Sequence, residues 1–218
     1  MACMLSTMQE VPFSVARILE FGTTAHANTK CTTWRASGAE ETTFAEIGAR
    51  AAAFAHALHS DLGIDGDQRV STLLYNCAEH IEVMFAVAAK GAVFNPLNVQ
   101  LMADQIAYVV NHSESEVIVA DPRLAEKLGT ILRDCPTVRA VAFTGIAPLD
   151  DAASHLPDTV QVHSYEQLLD GRPTSYPWPE LPENTAAALV YSTATTGAPK
   201  GVAYSHRSLW LEATGLRA

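Results

Sequence analysis

The sequence predicts an α/β fold: βαβ layers, a largely parallel sheet and flanking helices. Three observations carry that reading. Apolar runs of strand length alternate with amphipathic stretches between residues 69 and 143, and turn residues fall at the junctions. Two β-prone runs, 186–191 and 202–204, then flank a loop of small hydroxylated residues. With 218 residues, 48% of them hydrophobic, the chain is long enough to bury a sizeable core.

In chain order, residues 1–8 are a loose leader and 11–21 a short amphipathic helix through Phe13, Ile18, Leu19 and Phe21. Residues 30–43 alternate weakly about Gly38 and read as a hairpin. Thr43-Phe44-Ala45-Glu46 is a capping box, in which hydroxyl and carboxylate each accept a backbone N–H of the first turn. The helix it opens carries Ile47, Ala51, Phe54 and Leu58 on one stripe. A buried strand at 69–75 follows. Asn76 stands where it would cap the next helix, whose inner face reads as Ile81, Met84, Phe85 and Ala88 and which Gly91 ends.

A short strand at 92–97 is broken by Pro96, and a helix at 104–111 precedes a strand at 117–120. Pro122 suits the first position of a helix through Leu124, Leu128, Ile131 and Leu132. A strand at 138–143 completes this α/β body, spanning 10–146. Residues 147–184, rich in proline and aspartate, read as an irregular connection with one helical piece at 165–169. Residues 185–218 hold the hairpin and the start of another helix.

The hairpin loop, Ser192-Thr193-Ala194-Thr195-Thr196-Gly197-Ala198-Pro199-Lys200-Gly201, has the composition of a polyanion site. Hydroxyls and loop N–H groups donate to phosphate oxygens, and Lys200 adds a full charge. Gly197 and Gly201 permit close backbone approach, and Pro199 fixes the path to the lysine. A Walker loop would require Ser or Thr after the lysine and then a helix. Gly201 and a strand stand there instead, so the Walker reading fails.

Composition excludes other classes. The net charge is −10 with no basic run, which leaves no footprint for nucleic acid or anionic membrane. Cys3, Cys31, Cys77 and Cys135 are scattered without a C-x-x-C pair and read as reduced, mostly buried thiols of a cytoplasmic protein. Gln9, Glu10 and Arg17 interrupt the N-terminal segment, so no signal peptide is expected, and no apolar run is long enough to span a bilayer. His56, His59 and Asp61 lack a companion cluster and are expected to hold no metal.

Residues 191–201 resemble the Tyr-Thr-Ser-Gly-Thr-Thr-Gly-x-Pro-Lys-Gly signature of adenylate-forming (AMP-binding) enzymes. That superfamily includes acyl-CoA synthetases, luciferases and peptide-synthetase adenylation domains. Thr43 to Ile47, Gly66 to Val70, Asn76 to His80, Gly91 to Val93 and Pro96-Leu97-Asn98 through Gln105 to Val109 are similar, in the same order, to the N-terminal part of a fatty-acyl-CoA synthetase. Ser192 and Thr193 exchange the signature's first two hydroxyl residues, and Ala194 replaces its glycine. If that position needs φ > 0, alanine there costs on the order of 1 kcal/mol.

The resemblance implies an incomplete N-terminal AMP-binding domain over 1–218. In the complete family a fatty acid or other carboxylate attacks MgATP to give an acyl-adenylate, and coenzyme A then displaces AMP. Ser192, Thr193, Thr195, Thr196, Gly197 and Lys200 would hold the triphosphate, with no catalytic residue assigned and His206 left out of the site. The family's adenine and ribose motifs, acidic Mg2+ ligand and C-terminal catalytic lysine cannot be placed in these residues, so the chain is expected to be inactive by itself and to bind nucleotide weakly. A non-catalytic binding or assembly module, one half of a split enzyme with a separately encoded remainder, and a gene remnant that barely folds stay open as alternatives.

Overall fold

Alternate residues of the inner strands face opposite helical layers, and this period of two sets the architecture. Val117 and Val119 pack into one apolar cluster, Ile118 and Ala120 into the other; Ala140 and Ala142 divide from Val141 and Phe143 in the same way. The computed structural model describes residues 4, 6–145, 149–193 and 198–215.

The elements are α1 (Val15–Ala25), β1 (Lys30–Arg35), β2 (Gly38–Thr43), α2 (Phe44–Ser60), β3 (Arg69–Leu73), α3 (Ala78–Lys90), β4 (Val93–Pro96), α4 (Ala103–Ser113) and β5 (Ser115–Ala120). After a 3-10 turn at Pro122–Leu124 come α5 (Ala125–Leu132), β6 (Ala140–Phe143), α6 (Leu149–Ser154), β7 (Gln161–Ser164), α7 (Tyr165–Leu169), β8 (Ala186–Tyr191), β9 (Gly201–Ser205) and α8 (His206–Gly215). The main sheet has seven strands in the order β7-β6-β5-β3-β4-β8-β9. Every neighbouring pair is parallel except β8 with β9. Helices α1, α2, α3 and α7 cover one face, and α4, α5 and α6 the other. The α/β, largely parallel fold expected from the sequence is the fold observed.

Local signals were realised where the sequence placed them. Thr43 Oγ1 accepts the Glu46 N–H at 3.2 Å and Glu46 Oε2 accepts the Thr43 N–H at 2.7 Å, completing the capping box. Ile47, Ala51, Phe54 and Leu58 are all fully buried. Gly91 closes α3 with φ 101°, the left-handed conformation that glycine adopts at little cost.

Other expectations change. The first helix begins at Val15, capped by Ser14 and running to Ala25, so residues 11–13 precede it. Asn76 does not cap α3. Cys77 occupies that position without a side-chain bond, and the Ala78 N–H donates to Thr33 Oγ1 of β1 at 3.0 Å. The inner face of α3 centres on Glu82, Val83 and Ala86, while Ile81 and Met84 are only partly buried. Glu82 is tolerated there because Arg50 Nε donates to it at 2.8 Å and Tyr165 Oη at 2.9 Å. Pro122 opens the 3-10 turn, capped by Asp121, and α5 proper starts at Ala125. The connection at 147–184 is more regular than expected. It contributes α6, α7 and the edge strand β7, which pairs in parallel with β6.

Cys135 is buried, whereas Cys31 and Cys77 are partly exposed; Cys3 lies outside the described residues. Burial pushes the Cys77 thiol up to about 12 and the Cys135 thiol to about 11, so both stay protonated at neutral pH. Among the described residues no group of His, Cys, Asp and Glu could hold a metal, and no helix is long and apolar enough to cross a membrane.

Helices α5 and α6 meet at a glycine. A Cβ on Gly129 would lie 2.0 Å from the His155 carbonyl oxygen, and that backbone cannot swing aside as a side chain would. Gly129→Ala is expected to destabilise the chain by about 1–3 kcal/mol, read as a lower urea midpoint at unchanged m-value. An unchanged midpoint would show that the two helices are not packed this closely.

Candidate phosphate-loop site

The candidate site grows from the way β8 is attached to the sheet. The N–H groups of Val93 in β4 and of Leu97 just after it donate to β3 or its flank, at Gln68 O and Thr72 O. By alternation, Phe94 and Pro96 face β8. Phe94 pairs with Ala188, but Pro96 has no N–H to extend the ladder. The outer half of β8 therefore relies on β9, with Leu189, Val190 and Tyr191 opposite Ala203, Val202 and Gly201. The hairpin runs on past the carboxyl ends of the parallel strands, the edge where open α/β sheets bind ligands.

The loop is closed at its base by two bonds between the same residues. The Ser192 N–H donates to Lys200 O at 3.0 Å, and the Lys200 N–H donates to Ser192 Oγ at 3.2 Å. Pro199 is buried, whereas Ser192, Thr193 and Lys200 are exposed. The structure thus brings together Ser192, Thr193 and Lys200. Thr195, Thr196, Gly197 and the divergent Ala194 lie outside the described residues.

Gly201 leaves little room for a side chain. A Cβ there would stand 3.0 Å from the Tyr191 ring and 3.3 Å from Leu189. The Tyr191 ring also meets the last turn of α4, where its hydroxyl lies 2.7 Å from His112 Nδ1. The spacing of the loop residues gave no hint of His112.

Electrostatics single out Lys200. Arg17, Lys30, Arg35, Arg50, Arg69, Lys90, Arg123, Arg139, Arg172 and Arg207 all face carboxylates, and Lys127 donates to two carbonyls. Of the lysines and arginines among the described residues, only Lys200 and Arg133 have neither an ion pair nor a side-chain hydrogen bond. A cleft of about 1090 Å³ beside the β1–β2 hairpin is lined by Arg35 and Arg50, already neutralised by Glu40, Glu79, Glu82 and Glu166. An unpaired ammonium and two open hydroxyls on a projecting loop can donate to an anion without first breaking an internal contact.

The downstream stem is clamped by the N-terminal segment. His206, the first residue of α8, is fully buried, and its Nδ1 accepts the Val15 N–H at 3.3 Å. The ring is therefore the neutral tautomer with the proton on Nε2, an atom with no partner among the described residues. Phe13 stacks on Trp210 with centroids 4.1 Å apart, and Glu183 accepts the Phe13 N–H at 3.1 Å while pairing with Arg207.

Fold and loop together define an α/β domain with a projecting hairpin at the carboxyl edge of its sheet. Residues 22–217 match the model of the AMP-binding enzyme family, and the chain belongs to that family. It is 30% identical over 206 residues to the 3-methylmercaptopropionyl-CoA ligase of Ruegeria lacuscaerulensis, covering 94% of this chain and 37% of that protein. Against the long-chain-fatty-acid–CoA ligase of Thermus thermophilus it is 35% identical over 170 residues, 78% of this chain and 29% of that protein. The chain thus spans roughly a third of the length of these relatives. The crystal structure of the anthranilate CoA ligase AuaEII in complex with anthranoyl-AMP superposes with a TM-score of 0.78 at 21% identity, over 91% of this chain and 36% of that one.

Burial holds the His206 imidazole below the ordinary histidine range. A neutral buried histidine binds fewer protons than its unfolded counterpart, so its contribution is complete above about pH 6.5 and lost as pH falls below it. His206→Gln keeps an acceptor for Val15 and does not titrate. Its stability deficit relative to the parent chain is expected to shrink as pH drops from 7.5 to 5.5, followed by urea melts. A deficit constant across that range would place the histidine in contact with solvent.

Proposed function

We propose that this chain supplies the triphosphate-binding part of an ATP-dependent acyl-CoA ligase, with Ser192, Thr193, Thr195, Thr196, Gly197 and Lys200 as the contacts to the phosphates. The observation that carries the reading is the exposed, unpaired Lys200 on a hairpin tip at the carboxyl edge of a parallel sheet, in a chain of the AMP-binding family. Negative charge gathers on the phosphates as a carboxylate attacks ATP, so positioned donors and a fixed cation serve that step. The solved relative carrying anthranoyl-AMP, an acyl-adenylate, supports a two-stage reaction through such an intermediate.

The carboxylate substrate is proposed to be a fatty acid, a reading supported by the named substrate of the Thermus relative. Mg2+ and coenzyme A enter as the family's co-substrates, in the cytoplasm. The 218 residues alone are proposed to bind nucleotide weakly and to form neither adenylate nor thioester, because a triphosphate grip without adenine or ribose contacts recovers little of the cost of association. Adenylation would then need a further part of the family architecture, in the same polypeptide or a separate one.

Calorimetric titration of the chain with ATP tests the binding claim. Weak, salt-sensitive binding is expected, and Lys200→Ala should reduce it by about tenfold, as befits the loss of a charge-assisted hydrogen bond. Binding indifferent to Lys200→Ala would remove the loop from the site. A hydroxamate-trapping assay with ATP, Mg2+ and a fatty acid is expected to yield no acyl-adenylate, and product formation would refute the claim that these residues are incompetent alone.

A further inference from the structure

We infer that His112 is a positioning residue for the phosphate loop, acting through Tyr191; the inference rests on the phosphate-binding reading above. Three contacts form a chain from helix to lysine. His112 Nδ1 is 2.7 Å from the Tyr191 hydroxyl, and the two rings meet edge to face with centroids 5.6 Å apart. Tyr108, one turn earlier on α4, lies against the His112 ring at 5.6 Å and limits its rotation. The Tyr191 ring also lies over Gly201, its cross-strand partner, where an added Cβ would stand 3.0 Å from the ring. Gly201 is bonded directly to Lys200, whose N–H and carbonyl close the loop onto Ser192.

The need for such a prop follows from the sheet. Pro96 ends the β4–β8 ladder, so the outer half of β8 has a backbone partner on one side only. A hairpin supported on one edge twists and frays more readily than an inner strand. The Tyr191 ring replaces the missing ladder with a side-chain strut reaching 79 residues back along the chain. Holding Tyr191 in one rotamer fixes the path of Gly201, and hence the direction in which Lys200 leaves the strand. A ligand then meets an ammonium already aimed, and less ordering is charged against binding.

The experiment measures the affinity of the full chain for inorganic tripolyphosphate in the parent, Lys200→Ala, Tyr191→Phe, His112→Phe and the Tyr191→Phe/His112→Phe double variant. Loss of one hydrogen bond should weaken binding by about 3- to 10-fold in each single variant, and the double variant should be no weaker than the singles. Melting temperatures should stay close to the parent's, since His112 is exposed and Tyr191 only partly buried. The same samples are followed by amide hydrogen exchange. Ser192 and Lys200 amides should exchange faster in Tyr191→Phe and His112→Phe, and His112→Gln, which can still hydrogen-bond to the Tyr191 hydroxyl, should restore part of the protection. Parent-like affinity in His112→Phe, with Lys200→Ala impaired, would overturn the positioning role while sparing the loop's function. Should the parent fail to bind tripolyphosphate, the phosphate reading falls, and unaltered exchange at Ser192 and Lys200 would overturn the strut independently.

Discussion

Phe94 opposite Ala188 is the single backbone register that hangs the β8–β9 hairpin on the parallel sheet. Outward from that pair, Pro96 removes the next donor and the hairpin continues with support from its own second strand. The arrangement sets both position and exposure: the base of the hairpin belongs to the core through Ala187 and Ala188, and Ser192, Thr193 and Lys200 at the other end are exposed. Further contacts hold the hairpin at both ends, Tyr191 against α4 beside the loop and the clamp of Phe13, Val15, His206 and Trp210 at its base.

Charge placement follows from the same constraint. With a net charge of −10 the chain repels anions on average, so the proposed phosphate site depends on where a cation is left unpaired. Among the described residues every arginine but Arg133 is taken up in an ion pair, as Arg50 is with Glu82 and Glu166. Lys200 keeps its charge free beside the hydroxyls of Ser192 and Thr193. Its value there is local, because screening in ordinary salt leaves only nearby groups to be felt.

How much of this was legible in the sequence depended on range. Features settled within one turn or one hairpin were readable: the Thr43–Glu46 box, the α2 stripe, the Gly91 stop, the pairing of 186–191 with the strand after Lys200. Features settled between distant segments were not. Thr33 replaces Asn76 in closing the first turn of α3 from 45 residues away, which no local pattern encodes. Glu82 is buried against the rule for carboxylates because Arg50 and Tyr165 arrive from other elements to satisfy it. Strand β7, with Val162 as the sole aliphatic residue in Gln161–Ser164, owes its conformation to β6 beside it rather than to its own propensity. At the site, the loop motif announced Ser192, Thr193 and Lys200, and nothing near it in the sequence pointed to His112.

The most direct test of the account is an amide NMR titration of the chain with ATP. The account predicts that the largest shifts fall on Ser192, Thr193 and Lys200 and spread to Tyr191 and Gly201, while the charged cleft around Arg35 and Arg50 stays unmoved. Shifts concentrated in that cleft, with the hairpin tip silent at saturating nucleotide, would contradict it.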